Sequence, residues 1–176
     1  MLDLKSLIRS IPDYPKPGIL FRDITTLIEH PQGFKESVER LAAAHDGLGI
    51  THVAGIEARG FIFGAGVAIE MGVGFVPIRK RGKLPGATIG ENYTLEYGVD
   101  TIEIHADVLG SAHKVLLVDD LIATGGTAVA AVNLLRRTGA VTENAGFVID
   151  LFDLGGADLL RGRGVKIESL VAFPGH

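Results

Sequence analysis

The sequence predicts an α/β domain with a mainly parallel central sheet flanked by helices, and three observations lead to this prediction. Four short apolar runs have the length of buried strands. Helical patterns separate several of these runs, an alternation that is typical of parallel sheets. The 176 residues are 47% hydrophobic and show neither a repeat nor a linker, which suits one compact domain over 1–176. The strand candidates are HVAGI at 52–56, FVPI at 75–78, KVLLV at 114–118 and AGFVIDL at 145–151.

The N-terminal part of the chain is expected to contribute two helices. A first short amphipathic helix is expected to end at the proline-rich PDYPKPG. From Phe34 to Ala42, apolar residues at i, i+4, i+7 and i+8 predict a second helix that begins near Pro31. The apolar residues of the first helix are Leu4, Leu7, Ile8 and Ile11.

Two helices and one unusual insertion account for the segments between the strands. GFIFGAGVAIEM at 60–71 and TAVAAVNLLRRTG at 127–139 have helical patterns. The insertion at 79–108 begins with a glycine-rich polar half, and its second half alternates polar and apolar residues, which predicts a β-hairpin. Long segments of this kind inside compact domains are usually lids or disordered.

Composition excludes several classes of function. The net charge of −4 gives no global attraction to nucleic acid or anionic lipid, so phosphate binding would depend on local clusters. The absence of cysteine excludes disulfides and thiolate catalysis, and the six histidines show no metal-ligand spacing. Charged residues interrupt the apolar N-terminal residues, unlike a signal peptide, and no apolar run is long enough to span a bilayer. These features predict a soluble cytoplasmic protein.

The stretch VLLVDDLIATGGT at 115–127 combines two carboxylates with a glycine turn. KVLLV is expected to end at Val118, which puts Asp119 and Asp120 at the carboxyl end of a strand, where open α/β sheets bind ligands. The turn Thr124-Gly125-Gly126-Thr127 leads into a helix, so converging backbone N–H groups would hold a phosphate. Ionised carboxylates suit the hydroxyl groups of a vicinal diol. Ribose 5-phosphate carries both features.

There are three other interpretations of this stretch, and one of them remains open. An acidic turn followed by a helix with Thr124 or Thr127 as N-cap remains open. A P-loop needs a lysine after the glycines, whereas Thr127 and Ala128 follow here. A receiver-type signalling domain would need more chain after Asp120 and has no use for the glycine pair.

Two further clusters are candidate anion sites. Four cations lie within five residues at 79–83, after a strand candidate, and they suit either a solvated turn or the charge of a diphosphate. In GIEARGF, a second strand-to-helix turn contains Arg59 and Gly60. A surface ion pair for Arg59 and helix–strand packing for Gly60 remain open.

The sequence resembles the type I phosphoribosyltransferases, and specifically those that act on adenine. Five motifs in the order of that family carry the resemblance, which covers nearly the whole chain. The family implies a Rossmann-like type I phosphoribosyltransferase fold, with an N-terminal hood over about 1–30 and a flexible catalytic loop and β-hairpin over about 81–105 that covers the active site. The motifs are PGILFRDIT, GIEARGFIFG, IRKRGKLPG, YTLEYG and VLLVDDLIATGGT.

The resemblance also implies a role for each candidate residue. In isolation, Phe21 would be taken as a core residue and Glu96 as an exposed strand carboxylate. By resemblance, Phe21 stacks on adenine, Glu96 is the candidate acid or base near the imidazole ring, and Tyr97 is a loop contact. The other implied contacts are Leu20 and Arg22 with adenine; Asp119 and Asp120 with the ribose hydroxyls; Ala123, Thr124, Gly125, Gly126 and Thr127 with the 5′-phosphate; and Arg59, Arg79, Lys80 and Lys83 with pyrophosphate.

The implied reaction transfers the phosphoribosyl group of phosphoribosyl pyrophosphate to adenine, giving AMP and pyrophosphate. Mg²⁺ is expected as cofactor, held mainly through substrate oxygens, and family members are usually homodimers. The nearest rival is a phosphoribosyltransferase for another base. A second rival is a non-catalytic regulator that senses the ligand, which would need an appended DNA-binding segment and usually a basic face.

Overall fold

The computed structural model describes residues 1–95 and 98–175, and within them a seven-stranded sheet forms the centre of the molecule. The strands are β1 (Arg9–Pro12), β2 (Leu20–Asp23), β3 (His52–Ile56), β4 (Gly74–Lys80), β5 (Thr88–Thr94), β6 (Val99–His105), β7 (Lys114–Ile122), β8 (Val141–Leu151) and β9 (Lys166–Phe173). The helices are α1 (Thr25–Glu29), α2 (Pro31–Ala44), α3 (Arg59–Met71), α4 (Gly126–Arg137) and α5 (Gly156–Arg161), with 3₁₀ turns at Leu4–Leu7 and Phe152–Leu154.

The central sheet has the order β5-β6-β4-β3-β7-β8-β9. Five neighbouring strands, β4, β3, β7, β8 and β9, are parallel. The hairpin β5–β6 lies beside β4, and its strand β6 pairs antiparallel with both β4 and β5. All four strand candidates and both helices between them are therefore confirmed. A hairpin is present as predicted, but its first strand lies mostly in the glycine-rich half of the insertion. No element after β8 is predicted from the sequence, and the structure adds α5 and β9 there.

Alternate residues of β7 show how the core divides into two layers. Val115 and Leu117 pack with the side of the sheet that α4 covers. Leu116 and Val118 pack with the side that α2 and α3 cover. All four are fully buried, because successive side chains of a strand point to opposite faces and helices cover both.

The prediction of a first helix is wrong beyond one turn. Leu4–Leu7 form a 3₁₀ turn, and the chain then extends into β1, which pairs antiparallel with β2. Leu4 and Ile8 are both buried, as the helical spacing requires, but a single turn followed by a strand buries them equally well. The Arg9 guanidinium contacts the Asp23 carboxylate, which ties the outer ends of β1 and β2 together.

The predicted end of β7 at Val118 is also wrong, for a reason that matters for the site. Pairing of β7 with β3 ends at Val118, opposite Gly55. Pairing with β8 on the other side continues as far as Ile122, opposite Asp150. Asp119 and Asp120 therefore lie within a strand that has lost one of its two neighbours.

The N-terminal segment also packs at the carboxyl ends of the parallel strands, against β9. The Arg22 guanidinium lies 4.4 Å from the centre of the Phe173 ring, at the carboxyl end of β9. Lys5 Nζ lies 4.7 Å from the centre of the same ring. The β1–β2 pair is thus packed beside the carboxyl ends of the parallel strands. No helix in the described ranges is long and apolar enough to cross a membrane.

Candidate functional site

A cavity of about 280 Å³ lies where β3 and β7 separate. Residues 56–59, which follow β3 into α3, form one wall, and residues 119–128 form the other. Lys80 and Tyr93 complete the lining from β4 and β5. The structure therefore brings together the residues that the sequence predicts for the 5′-phosphate and the ribose hydroxyls, with Arg59 and Lys80 from the predicted pyrophosphate set.

The glycine turn (123–127) has the backbone of an anion site. Gly125 has a φ of 86°, in the left-handed region that favours glycine, and α4 begins at the next residue. No side chain in the described part of the chain caps α4, so the threonine N-cap that the sequence left open is not formed. The N–H groups of the first helical turn are consequently free to bind an anion, and the helix dipole favours one.

The acidic pair lies against the start of α3. Asp119 Oδ1 accepts a hydrogen bond of 2.9 Å from the Asp120 N–H. A Cβ on Gly60 would lie only 2.6 Å from the same oxygen, so Gly60 leaves room for this carboxylate. Burial, together with the adjacent charge of Asp120, raises the pKa of Asp119 well above its usual value.

Arg59 links the two walls of the cavity. Its Nε lies 2.5 Å from Asp120 Oδ2, and this carboxylate is almost fully buried while the Arg59 side chain remains half-exposed. An ion pair was one of the two interpretations that the sequence left open for Arg59. The contact also places a predicted pyrophosphate residue next to a predicted ribose residue.

The basic cluster divides between the cavity and its surroundings. Lys80 lines the cavity, where its Nζ donates a 2.6 Å hydrogen bond to the Tyr93 hydroxyl and contacts the Asp100 carboxylate. Arg79 Nη1 donates to the Lys83 carbonyl at 3.1 Å. Arg79 and Lys83 are not among the described residues that line the cavity, and Arg81 and Lys83 are exposed.

Glu57 is a site residue to which the sequence assigns no role. Its Oε2 accepts the Lys80 N–H at 2.8 Å and lies 3.3 Å from Arg79 Nε. The Lys80 N–H and then the Arg79 guanidinium lower the pKa of Glu57. The available signal was topological: if β3 and β4 are parallel neighbours, their carboxyl ends meet, and Glu57 follows one while the basic cluster follows the other.

The predicted adenine residues lie outside this cavity. Leu20, Phe21 and Arg22 belong to β2 and are all partly buried. The Phe21 ring packs edge-on against Tyr14, with 5.2 Å between ring centres. The contact of Arg22 with Phe173 holds β2 at the carboxyl edge of the sheet, beside the cavity lining and not within it.

The predicted loop residues Glu96 and Tyr97 lie outside the described residues. Thr94, at the end of β5, lies near the glycine turn, since a Cβ on Gly126 would lie 3.9 Å from the Thr94 carbonyl oxygen. Across 1–95 and 98–175, no group of three or more His, Cys, Asp or Glu residues is arranged to hold a metal ion.

Comparisons with known proteins agree with this geometry. Residues 25–149 match the model of the phosphoribosyl transferase domain. The adenine phosphoribosyltransferase of Pectobacterium carotovorum subsp. carotovorum is 58% identical over 173 residues, 98% of this chain and 94% of that protein. The crystal structure of adenine phosphoribosyltransferase from Thermoanaerobacter pseudethanolicus is similar with a TM-score of 0.92 at 45% identity, over 97% of this chain and 98% of that one.

A more distant solved structure adds ligands to the comparison. The Trypanosoma brucei adenine phosphoribosyltransferase, in complex with AMP, pyrophosphate and ribose-5-phosphate, is similar with a TM-score of 0.87 at 28% identity, over 96% of this chain and 78% of that one. The fold, the site and these relatives agree: this chain belongs to the phosphoribosyl transferase family, among its adenine phosphoribosyltransferases.

Proposed function

We infer that this protein transfers the 5-phosphoribosyl group of phosphoribosyl pyrophosphate to adenine, giving AMP and pyrophosphate, a reaction of purine salvage. The observation that carries this conclusion is the cavity between β3 and β7, which combines an uncapped helix start, three carboxylates and two cations. The T. brucei relative binds AMP, pyrophosphate and ribose-5-phosphate, which carry the same chemical groups.

The substrate's three polar parts match three parts of the site. The glycine turn (123–127) would hold the 5′-phosphate with backbone N–H groups. Asp119 and Asp120 would accept hydrogen bonds from the ribose hydroxyls. The pyrophosphate would meet Arg59 and Lys80 in the cavity, and Arg79 and Lys83 nearby are its further candidate contacts.

The chemical step requires placement and charge control more than covalent chemistry by the protein. The bond between the anomeric carbon and a pyrophosphate oxygen breaks as a nitrogen of the adenine imidazole ring bonds to that carbon. The sugar develops oxocarbenium character in this displacement, as in other glycosyl transfers. Cations around the leaving pyrophosphate and carboxylates around the ribose oppose the charges that develop. Glu96 is the proposed acid or base at the adenine ring, and Tyr97 a contact of the closed loop.

The charge distribution of the cavity fits Mg²⁺ bound chiefly through the substrate. Mg²⁺ prefers oxygen ligands, keeps several waters and usually takes one or two carboxylates together with substrate phosphates. Glu57, Asp119 and Asp120 line the cavity, but they do not converge as a three-ligand cage. When bound, the ion would neutralise charge on the departing pyrophosphate.

We place adenine between β2 and the sugar site, under the N-terminal hood over about 1–30. Phe21 would stack on the base, and backbone groups near Leu20 and Arg22 would read its edge. A carbonyl facing the six position accepts a hydrogen bond from the amino group of adenine and repels the keto group of hypoxanthine or guanine. The contact of Arg22 with Phe173 supports this location, since it holds β2 at the carboxyl edge of the sheet.

We further propose that the protein is a homodimer that uses an exposed face of α3. Ile69 is 82% exposed and Ile62 is 39% exposed, whereas the other face of α3, with Phe63 and Val67, is buried in the core. Ala65 occupies the same face by helical spacing. An apolar stripe of this kind on a helix is typical of an interface, and a second copy of the chain is the occupant we propose.

The deciding experiment is pyrophosphate release from phosphoribosyl pyrophosphate and Mg²⁺ with each nucleobase supplied separately. Release with adenine alone, with AMP identified by chromatography, is the expected result. Release with hypoxanthine, guanine, xanthine or orotate instead would overturn the adenine site. Binding of the sugar substrate without release by any base would favour a non-catalytic sensor.

A further inference from the structure

The first turn of α5 lies in direct backbone contact with the glycine turn. The Gly156 N–H donates a 3.0 Å hydrogen bond to the carbonyl oxygen of Ala123. Gly125 faces Gly156 from the other side of this contact, since a Cβ on Gly125 would lie 2.9 Å from Gly156 Cα. Neither the sequence pattern nor the resemblance assigns a role to Gly156, which lies outside the five motifs.

There is no space for a side chain at Gly156. A Cβ there would lie 2.3 Å from the Ala123 carbonyl oxygen, 2.7 Å from the Gly125 nitrogen and 2.9 Å from Ile122 Cγ1. Two of these three atoms are backbone, so no rotamer change would relieve the contact. Gly156 belongs to a helix, and the requirement for glycine is therefore one of space, not of backbone conformation.

The hydrogen bond from Gly156 fixes the direction of a peptide group. In a trans peptide the C=O and the following N–H point in opposite directions. Because the Ala123 carbonyl is held towards α5, the Thr124 N–H is directed away from α5. Residues 123–128 line the cavity and no described residue of α5 does, so this N–H is directed to the cavity side.

We propose that Gly156 is a positioning residue for the 5′-phosphate: it acts through the Ala123 carbonyl and sets the direction of the amide groups of the glycine turn. The inference rests on the proposed function, because it assumes that this turn binds the 5′-phosphate. The residue itself touches no substrate. Its effect should be confined to the 5′-phosphate end of phosphoribosyl pyrophosphate. The cations proposed for the pyrophosphate lie elsewhere, with Arg59 at the start of α3 and Lys80 at the end of β4.

The test compares two ligands that report on the two ends of the substrate. Gly156→Ala should weaken binding of ribose 5-phosphate about tenfold or more, the loss expected for a disturbed hydrogen bond to a charged group. Pyrophosphate binding should stay within about twofold of the wild-type value, which is within ordinary non-additivity. In steady-state kinetics the KM for phosphoribosyl pyrophosphate should rise, while the KM for adenine stays unchanged.

Gly162→Ala is the matched control, at the other end of α5. Gly162 has a φ of −61°, and a Cβ there would meet carbonyl oxygens only at 3.5 and 3.6 Å, an ordinary contact. This variant should bind both ligands like the wild type. If Gly156→Ala is insoluble, Gly155→Ala replaces it: Gly155 has a φ of 77° and open space, so the variant strains the start of α5 without a collision. Gly155→Ala should weaken ribose 5-phosphate binding, by a smaller factor than Gly156→Ala, and leave pyrophosphate binding unchanged.

Equal weakening of both ligands would make Gly156 a residue of general stability and overturn the positioning role. Unchanged ribose 5-phosphate binding in the variant would overturn it as well. If the wild-type protein itself binds no ribose 5-phosphate, the proposed function of the glycine turn fails, and this inference fails with it. Wild-type binding with an unaffected variant overturns only the inference.

Discussion

Asp100 is predicted to compete with pyrophosphate for Lys80. The Lys80 ammonium contacts the Asp100 carboxylate and the Tyr93 hydroxyl while it lines the cavity. Partial burial opposes the charged form, but the hydrogen bonds to Asp100 and Tyr93 outweigh it and raise the pKa of Lys80. The amine is thus charged at neutral pH, with part of its attraction for anions already used by Asp100. Asp100→Asn should therefore tighten pyrophosphate binding.

The exposure of the Lys80 and Asp100 side chains limits the expected gain in pyrophosphate affinity. Lys80 and Asp100 are 40% and 30% exposed, so solvent screens their attraction. Ion pairs of this kind contribute about 0.2–1 kcal/mol. At about 1.4 kcal/mol for each tenfold change, the upper part of that range corresponds to a two- to fivefold lower Kd for pyrophosphate.

Isothermal titration calorimetry with pyrophosphate at constant ionic strength measures this difference, with and without Mg²⁺. Asp107→Asn is the matched control, because Asp107 is an exposed carboxylate just beyond the opposite end of β6 and its loss changes the net charge equally. Tyr93→Phe separates the hydroxyl contact from the ion pair. A Kd for Asp100→Asn equal to or above that of Asp107→Asn would refute competition and leave Asp100 as a residue that orients Lys80.

Four further predictions address the site, the hairpin, the N-terminal segment and the assembly. Asp120→Asn should lower kcat/KM for phosphoribosyl pyrophosphate about 10- to 100-fold, as expected for a lost charged hydrogen bond, and a wild-type value would remove Asp120 from the ribose site. Glu96→Gln should lower kcat more than it weakens adenine binding, whereas equal losses would indicate a binding role. Hydrogen bonds from Thr25 and Arg9 lower the pKa of Asp23 from 3.8 to about 2, so its stabilisation is complete above about pH 4 and lost towards pH 2. Thr25→Val should reduce this pH-dependent part of the unfolding free energy by about 1 kcal/mol, measured by urea unfolding at pH 5 and pH 2.5, and an unchanged pH dependence would contradict the assignment. Ile69→Glu should convert a dimer to a monomer in sedimentation velocity, and a persistent dimer would place the interface elsewhere.

The sheet and its helices were predictable because burial on both faces leaves a clear pattern. KVLLV is apolar without alternation, and β7 is covered by helices on both sides, so the run of apolar residues and the structure have the same cause. The structure of the first twelve residues was not predictable, because the spacing of their apolar residues fits more than one structure. Leu4 and Ile8 have helical spacing, but both are buried in a 3₁₀ turn followed by a strand. The elements that pack against this turn are α1, α2 and β9, and the local spacing does not reveal them.

The candidate site was predictable where it is local in sequence. Asp119, Asp120 and the glycine turn form one continuous stretch, and the cavity is built around them. Glu57 and Gly156 were not found, because their contacts with Lys80 and Ala123 depend on the order of strands and on a turn far along the chain. The predicted adenine residues could be chosen only by resemblance, since Phe21 on a short N-terminal strand has no local pattern that separates it from a core residue.

The unequal pairing of β7 leaves part of its backbone open to a ligand, unlike the backbone of a central strand that is paired along both edges. Beyond Val118, no described strand lies beside the edge of β7 that faced β3, while the edge that faces β8 stays paired to Ile122. We therefore expect a bound substrate to occupy the place of the missing strand, against a backbone whose other edge is hydrogen-bonded to β8. Binding should accordingly appear in amide hydrogen exchange as added protection at residues 119–128, with β8 already protected before the ligand arrives.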